Sequence, residues 1–220
     1  DATGAEEVAR GIGERALGVG CDVTDEGQVS ALISQAEDAF GPIDLFCANA
    51  GIGTGTGLDT PDDVWTRVMD VNLYAHVRAA RLLVPGWLAR GSGYFVATAS
   101  AAGLLTQIGS APYAVTKHAA VAFAEWLSVS YGDRGIRVSC LCPMGVRTAM
   151  TQGDELAHRV VRSAGAMLEP EDVAEAVVRA VDAETFLILP HPEVLTFFQR
   201  KAMDYDRWLA GMRRLQSGQS

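Results

Sequence analysis

Tyr113 and Lys117 are the two residues of this chain whose types and spacing most directly suggest chemistry. They lie four positions apart in the stretch SAPYAVTKHAA (110–120), and Lys117 is one of only two lysines in a chain that otherwise uses arginine for its cations. Ser110 and Pro112 mark the start of a predicted helix, so the two side chains share one helical face. An ammonium held close to a phenol favours the phenolate and lowers a pKa that is otherwise about 10. The pair therefore predicts a tyrosine that can exchange a proton near neutral pH.

The same spacing also fits an exposed lysine whose stem packs on a tyrosine ring, so the elements that position the pair matter. Apolar runs of strand length alternate with longer segments of helical periodicity. Most of these runs are apolar on consecutive residues, which is typical of strands covered on both faces by helices. The predicted strands are residues 16–23, 43–51, 94–100, 136–143 and 185–190. This alternation predicts an α/β fold, a doubly wound and mostly parallel sheet with helices on both faces.

The helical segments have recognisable start and stop signals. Capping residues and prolines precede several of them, and Gly41, Gly91 and Gly135 lie where helices are expected to end. The predicted helices are residues 24–40, 60–90, 111–131 and 170–181, with a surface helix within 3–13 and an amphipathic helix over 193–212. Tyr113 and Lys117 thus belong to a long helix that follows the strand at 94–100.

Composition limits the classes of function. The chain has 220 residues, 49% of them hydrophobic, with a mean hydropathy of +0.13, which is most simply one domain, residues 1–220, with one large core. No apolar run approaches the length of a membrane-spanning helix and no signal peptide is apparent, so we expect a cytoplasmic protein. A net charge of −9 argues against binding nucleic acid or an anionic membrane. A small-molecule partner is favoured.

The cysteines do not predict a metal site. Cys21, Cys47, Cys140 and Cys142 all lie in short apolar runs, and none forms a C-x-x-C motif. Cys140 and Cys142 would face the same side of a strand, but no histidine or further cysteine is near them in sequence. We interpret all four as buried free thiols and expect no metal.

The stretch PYAVTKHA resembles the active-site helix of the short-chain dehydrogenase/reductase family. Ser100, thirteen residues before Tyr113, is similar to the catalytic serine of that family, and Asn72 in MDVNLYAHV is similar to the asparagine of its fourth helix. The resemblance implies a Rossmann-type fold and a hydride transfer between an alcohol or ketone and a nicotinamide cofactor. Tyr113 would exchange the proton, while Lys117 would lower the tyrosine pKa and hold the nicotinamide ribose. Ser100 would hydrogen-bond the reacting oxygen, and Asn72 would position a water molecule.

Three further stretches resemble cofactor-binding motifs of the same family. CDVTD (21–25) resembles the segment beside the adenine, ANAG (48–51) the N-N-A-G turn, and PMGVRT (143–148) the turn over the nicotinamide, with Met144 where glycine is usual. The resemblance implies that the cofactor, NAD or NADP, contacts Tyr113 and Lys117 together with Asp22, Val23, Asn49, Ala50, Gly51, Pro143, Gly145, Val146 and Thr148. An acid at Asp1, near the position that selects the cofactor, favours NAD.

The glycine-rich phosphate loop of the family is missing from this sequence. GIGTGTG (51–57) and TGAEEVARGIG (3–13) have the wrong glycine spacing for it. We therefore expect an incomplete first β-α-β unit, with roughly 30–45 further residues upstream. A missing first strand would leave the strand at 43–51 with an exposed edge.

The sequence indicates the class of reaction more clearly than it indicates the substrate. By resemblance the pocket would be formed by residues 104–108, by Met144 and by a lid at 149–167, and the mostly apolar positions favour a small apolar alcohol or ketone. By resemblance, helices 61–90 and 111–131 would pair in a homodimer or homotetramer. Trp87 and Trp126 are candidates for that contact, and core packing explains them equally well. The alternative is a non-catalytic scaffold or binding protein that keeps the fold without a working cofactor site. A serine hydrolase is disfavoured because no G-x-S-x-G motif is present.

Overall fold

The fold is built around one parallel sheet. The computed structural model describes residues 1–54, 56–151 and 167–218, and its sheet has four strands in the order β1-β2-β3-β4. The strands are β1 (Leu45–Ala48), β2 (Gly93–Thr98), β3 (Ile136–Leu141) and β4 (Leu187–Ile188), and every neighbouring pair is parallel. The predicted α/β class is confirmed. Because all four strands run in one direction, the segments that follow β1, β2 and β3 emerge at the same edge of the sheet.

Helices surround the sheet and connect its strands. In chain order they are α1 (Ala2–Ile12), α2 (Glu26–Phe40), α3 (Asp62–Met69), α4 (Ala75–Arg90), α5 (Ala102–Leu105), α6 (Ala111–Tyr131), α7 (Pro170–Asp182), α8 (Glu193–Met203) and α9 (Tyr205–Gln216). A five-residue π-helix, Asp70–Tyr74, joins α3 to α4, and short 3-10 turns cover Gly132–Arg134 and Ala149–Thr151. Within the described residues no helix is both long enough and apolar enough to span a bilayer.

The segment 16–23, predicted as a strand, is not one in the structure. It runs as irregular chain beside α1, so close that a methyl group on Gly20 would contact Ala2 and one on Gly18 would overlap the α1 backbone. An apolar run becomes a strand only when another strand offers hydrogen-bond partners. Among the described residues β1 is an edge strand, paired only with β2, and no strand lies between it and this segment.

Two predicted helices are interrupted. The helix expected over 60–90 contains the π-helix at Asp70–Tyr74, and the helix expected over 193–212 breaks between α8 and α9. At that break Asp204 is extended and its carboxylate accepts a hydrogen bond from the Arg207 amide at 2.9 Å. A capping residue offers the first turn of a new helix a partner that a continuing helix would not need. The helices predicted at 111–131 and 170–181 are confirmed.

The main core lies between the sheet and helices α4 and α6. Phe95 and Ala97 of β2 are fully buried, and Trp87 of α4 packs flat on Gly93, where any side chain would overlap the indole ring. The Trp87 indole N–H donates to the carbonyl of Ile43 at 2.7 Å. Trp87 is therefore a core residue that ties α4 to the entry of β1, and its predicted alternative as an oligomer contact is wrong.

The exposure of the cysteines differs from the prediction at one position. Cys140 and Cys142 are fully buried with their sulfurs 3.8 Å apart, and Cys21 is half-buried. Cys47 is exposed, as is Leu45 on the same strand. No described element covers that part of the sheet edge, so an apolar strand residue there stays accessible. The expected single domain over 1–220 stays a prediction, and most of the expected lid, residues 152–166, lies outside the described residues.

Candidate active site

Helix α6 begins where the sequence predicts and presents Tyr113 and Lys117 on one face. Its N-cap, Ser110, accepts a hydrogen bond from the Tyr113 amide at 3.4 Å and donates one to the carbonyl of Thr54 at 3.1 Å. The Lys117 ammonium lies 5.7 Å from the centroid of the Tyr113 ring. The cap thus anchors the start of α6 to the loop after β1, and the cation sits beside the phenol as the spacing predicted.

Lys117 reaches the end of strand β2. Its ammonium donates to the carbonyl oxygen of Thr98 at 3.0 Å, and the residue is only 3% exposed. Burial disfavours the charged form and lowers the pKa of Lys117 from 10.5 to about 8. Because that value lies above 7, the site holds a buried positive charge at neutral pH.

Ser100 lies two residues beyond β2 and connects three parts of the site. Its hydroxyl donates to the carbonyl of Pro143 at 3.4 Å and accepts from the amide of Ala102 at 3.1 Å. It also lies close enough to the Tyr113 side chain to lower the pKa of that phenol. The two hydroxyls that the sequence pairs across thirteen residues are therefore adjacent in space.

The expected lowering of the Tyr113 pKa by Lys117 is not what the structure shows. Burial is the largest effect on Tyr113 and raises its pKa above 10.0, while the nearby Ser100 hydroxyl only partly opposes it. The Lys117 ammonium is directed to the Thr98 carbonyl and the ring, and a phenol in an apolar site resists ionisation. Burial therefore favours the neutral phenol, which is the form that donates a proton.

Asn72 is fully buried in the π-helix and joins three segments. Its side-chain oxygen accepts from the Ile52 amide at 2.8 Å, and its amide nitrogen donates to the Ile52 carbonyl at 2.9 Å and to the Thr116 hydroxyl at 3.1 Å. Short π-helical turns are frequent at functional sites because they redirect one side chain. Asn72 fixes the loop after β1 against α6, and its expected role in positioning a water molecule stays a prediction.

Gly51 leaves space beside the buried cation. A methyl group there would lie 3.4 Å from the Lys117 ammonium and 3.6 Å from the Asn72 side-chain oxygen. Two residues on, a methyl on Gly53 would lie 3.6 Å from the sulfur of Met150 and 3.8 Å from the Tyr113 ring. The two glycines therefore lie directly against the Tyr113–Lys117 pair.

The turn at 143–148 is held at its start and in its middle. The carbonyl of Pro143 accepts from the Ala101 amide at 2.8 Å in addition to the Ser100 hydroxyl. Met144, which stands where the family usually has glycine, donates its amide to Nδ1 of His191 at 3.2 Å. Farther on, the Gly145 carbonyl and the Arg147 amide pair with Leu168, Val146 forms the bridge to Leu168, and Thr148 is exposed. Pro143 thus lies next to Ser100.

The residues expected on the adenosine side of the cofactor are exposed or half-buried. Asp22 is exposed, and its carboxylate accepts from the Thr24 amide at 2.9 Å and the Thr24 hydroxyl at 2.8 Å, which lowers its pKa. Val23 and Ala50 are half-buried, and Asn49 is exposed directly after β1. The expected contacts of these four residues with a cofactor remain predictions.

Three neighbours of the cluster were not singled out from the sequence. Thr116 is fully buried against Asn72, and His191 supports Met144 from beyond β4. His76 is 1% exposed with neither ring nitrogen hydrogen-bonded, and burial together with the Lys117 charge lowers its pKa to about 4. Thr116 could have been found from the sequence because it adjoins Lys117. The two histidines are long-range partners that only the fold reveals.

The polar groups of this cluster could bind one end of a dinucleotide. Two hydroxyls, a buried ammonium and an open glycine lie at the carboxyl edge of a parallel sheet, which is where such sheets bind nucleotides. These groups match a ribose diol and a carboxamide rather than a metal, and the described residues contain no group of three or more metal-ligating side chains. The family's strand, glycine-rich loop and helix for the pyrophosphate are not found in residues 1–54, 56–151 or 167–218.

Comparison with known proteins identifies the family of this chain. The sequence model described as short chain dehydrogenase matches residues 2–158. The cis-4-hydroxycyclohexanecarboxylate dehydrogenase of Sinomonas cyclohexanicum is 34% identical over 197 residues, covering 85% of this chain and 79% of that protein. The inactive 2-(S)-hydroxypropyl-CoM dehydrogenase 2 of Xanthobacter autotrophicus is 35% identical over 190 residues, covering 81% and 82%. A short chain dehydrogenase/reductase structure from Burkholderia phymatum in complex with NAD has a TM-score of 0.81 at 28% identity, covering 94% of this chain and 83% of that one.

Proposed function

Because this chain belongs to the short chain dehydrogenase family, we propose that it interconverts an apolar secondary alcohol and its ketone with NAD as the hydride carrier. The coarser activity follows from the family and its relatives. The chain is an oxidoreductase that uses a nicotinamide cofactor and acts on an alcohol or carbonyl group. The substrate class, the preference for NAD and the roles of individual residues are proposals.

The closeness of the Ser100 hydroxyl to the Tyr113 side chain, with Lys117 buried beside the Tyr113 ring, is the observation that supports the mechanism. A bound nicotinamide cofactor would supply or accept the hydride. In the reducing direction, the Tyr113 hydroxyl gives its proton to the substrate oxygen and the Ser100 hydroxyl donates a hydrogen bond to the same oxygen. We expect the positive charge of Lys117, buried beside the ring, to offset part of the cost that burial imposes on the phenolate left by this transfer. In the oxidising direction Tyr113 takes the proton back.

The preference for NAD rests on the first residue of the chain. Asp1 is exposed at the N-terminus of α1, where its carboxylate accepts a hydrogen bond from the Gly4 amide at 3.4 Å. A carboxylate near the position that meets the adenosine ribose favours its free diol and repels the additional phosphate of NADP. Calorimetric titration of the full-length protein with NADH and NADPH tests this preference, which is withdrawn if NADPH binds as tightly as NADH.

The preference for an apolar substrate rests on the residues around the two hydroxyls. Leu104, Leu105 and Ile108 are buried in the segment after Ser100, and Met150 lies against Gly53 beside the Tyr113 ring. Apolar walls favour a substrate that gives up little hydration when it enters. The relative named for cis-4-hydroxycyclohexanecarboxylate suggests a ring alcohol as the first probe, and cyclohexanol is its uncharged counterpart.

Tyr113→Phe is the decisive variant for the proposed mechanism. It removes one hydroxyl and keeps the ring, so we expect turnover of the ring alcohols with NAD to fall by about 10²–10⁴-fold, the usual contribution of a positioned proton donor. Binding of NADH should stay within twofold. Tyr131→Phe is the matched control because it makes the same change at the other end of α6. Turnover by Tyr113→Phe equal to that of the control would refute the assignment.

The same experiment separates the alternative function. A non-catalytic scaffold or binding protein would bind no nicotinamide cofactor and would turn over none of the alcohols, in the wild type as well as in Tyr113→Phe. One relative with 35% identity is itself named inactive, so the alternative deserves a direct test. The position of Lys117 argues for catalysis, because its buried charge lies beside the ring of Tyr113, where it can act on the proton transfer.

We also propose that the protein forms a homo-oligomer in the cytoplasm. Helix α6 exposes Val115, Trp126 and Val129, with Trp126 55% and Val129 87% exposed. Apolar side chains repeated along one helix favour association with a second copy. We expect light scattering to give at least twice the monomer mass and Trp126→Glu to lower it, and a monomeric wild type would overturn this part.

A further inference from the structure

The only two lysines of the chain both bind the backbone around Ser100. Lys117 of α6 donates to the carbonyl of Thr98, two residues before Ser100, at 3.0 Å. Lys201 of α8 donates to the carbonyl of Leu104, four residues after Ser100, at 2.6 Å. The segment that contains the catalytic serine is therefore held at both ends by a buried ammonium. The first lysine belongs to the family motif, whereas Lys201 lies beyond residues 2–158 that match the family.

Helix α5 is too short to hold its own position. It has four residues, all buried, and Gly103 packs so tightly on the carbonyl of Lys117 that a methyl group there would overlap it. Directly after α5, Thr106 has φ +82°, a conformation that a residue with a β-carbon rarely adopts and that costs about 1–3 kcal/mol. Such a turn persists only when its surroundings hold it. α6 supports α5 on one side, and the hydrogen bond from Lys201 supports it on another.

The surroundings of Lys201 indicate that the ammonium has this one structural task. The residue is 6% exposed, and its nitrogen lies 5.3 Å from the centroid of the Tyr205 ring. Within the described part of the chain, Lys201 forms no salt bridge with a carboxylate. A buried cation is costly unless it is hydrogen-bonded, and an apolar side chain of the same length would fill the space without that cost. The bond to the Leu104 carbonyl is what distinguishes lysine from methionine here.

We propose that Lys201 is a positioning residue for the substrate side of the active site. Through the Leu104 carbonyl it fixes α5, and with α5 it fixes the Ser100 hydroxyl and the apolar wall at Leu104 and Ile108. Helix α8, which follows the last strand, thereby becomes part of the catalytic architecture. The kinetic part of this inference rests on the proposed function, whereas the structural part does not.

Lys201→Met tests the proposal in the full-length protein. The variant keeps the length and apolar character of the side chain and removes only the ammonium. Arg200→Met is the matched control, since it removes one cation from the adjacent, exposed position of the same helix. Lys201→Arg restores a donor, and Tyr205→Leu removes the ring contact without burying anything new. The last variant provides a second test if Lys201→Met fails to fold.

The first readout is amide hydrogen exchange, which requires no turnover. We expect residues 101–109 to exchange at least tenfold faster in Lys201→Met than in Arg200→Met, a smaller acceleration in Tyr205→Leu, and no change across β2 and β3. Equal exchange at residues 101–109 in Lys201→Met and the control would overturn the proposal. A uniform acceleration over the whole chain would overturn it as well, because that result means general destabilisation.

The second readout separates positioning from simple loss of stability. With cis-4-hydroxycyclohexanecarboxylate or cyclohexanol and NAD, measured well below each melting temperature, we expect Lys201→Met to lower kcat/KM about tenfold, with most of the change in KM. Binding of NADH should stay within twofold, and Lys201→Arg should recover part of the loss. Unchanged kcat/KM with normal wild-type turnover would refute the kinetic role. If the wild type itself turns over neither alcohol, the proposed function fails while the exchange result still decides the structural role of Lys201.

Discussion

Replacing Lys117 by methionine should abolish the proposed turnover. At neutral pH, removing the buried charge should also favour the folded state. The ammonium of Lys117 is 3% exposed, and its pKa falls from 10.5 to about 8 because burial disfavours the charged form. Since each pKa unit corresponds to about 1.4 kcal/mol, the buried charge costs about 3 kcal/mol of folding stability at pH 7. Lys117→Met removes that cost together with the hydrogen bond to the Thr98 carbonyl.

The pH dependence isolates the charge from the other consequences of the substitution. Below pH 8 the lysine is charged in both the folded and the unfolded protein, so the wild type bears the full cost. Between pH 8 and 10.5 the folded protein binds fewer protons than the unfolded one, so the unfolding free energy of the wild type rises with pH. Relative to Lys117→Met, the wild type should therefore gain about 3 kcal/mol over that interval. Contributions that do not titrate, such as the lost hydrogen bond, cancel in this difference.

Urea unfolding followed by tryptophan fluorescence at half-unit steps from pH 7 to 11 would measure the effect. Because both proteins share every other titrating group, the quantity to compare is the difference in unfolding free energy between wild type and variant at each pH. A difference that stays constant from pH 7 to 10.5 would refute the argument that Lys117 is a buried cation with a depressed pKa. A gain confined to this interval would show that the active site keeps its charge at the expense of stability.

The remaining predictions concern the groups that support the site. His76 has a pKa lowered from 6.5 to about 4, so the wild type should lose about 3 kcal/mol more unfolding free energy than His76→Leu as the pH falls from 7 to 4, measured by urea titrations at pH 7 and 4. His191→Phe leaves the Met144 amide without its ring acceptor and should cost about 1–3 kcal/mol in the same assay, with a larger relative loss of kcat/KM than His76→Leu. Gly103→Ala drives a methyl group into the Lys117 carbonyl, and should lower stability by about 1–3 kcal/mol, measured as a fall in melting temperature.

The proposed catalytic cluster could be anticipated because its geometry is mostly local. Tyr113 and Lys117 are four residues apart in one helix, so their common face follows from helical spacing alone. Ser100 follows a predicted strand, and parallel strands end at the same edge of the sheet, so its approach to α6 follows from the order of the elements. Asn72 could be located by resemblance. Its two hydrogen bonds to Ile52, and the π-helix that contains it, could not be predicted from the sequence.

The supporting partners could not be anticipated because they depend on long-range contacts. His191 meets Met144 across 47 residues, and Lys201 meets Leu104 across 97 residues, with no periodic pattern to link them. The ionisation of Tyr113 is a similar case. Spacing alone predicts a lowered pKa, whereas burial, which depends on every element around the ring, raises it.

The sequence by itself determined the alternating α/β order, the helix that contains Tyr113 and Lys117, and the chemistry that these residue types permit. Those properties follow from hydrophobic periodicity, helix capping and fixed spacing along the chain. Only the tertiary structure decided that residues 16–23 lie outside the sheet, that Cys47 is exposed, and that Lys117 keeps its charge in an almost water-free site. A strand needs a neighbouring strand, and burial and the pKa depend on all the atoms around a group, so neither can be determined from a single stretch of sequence.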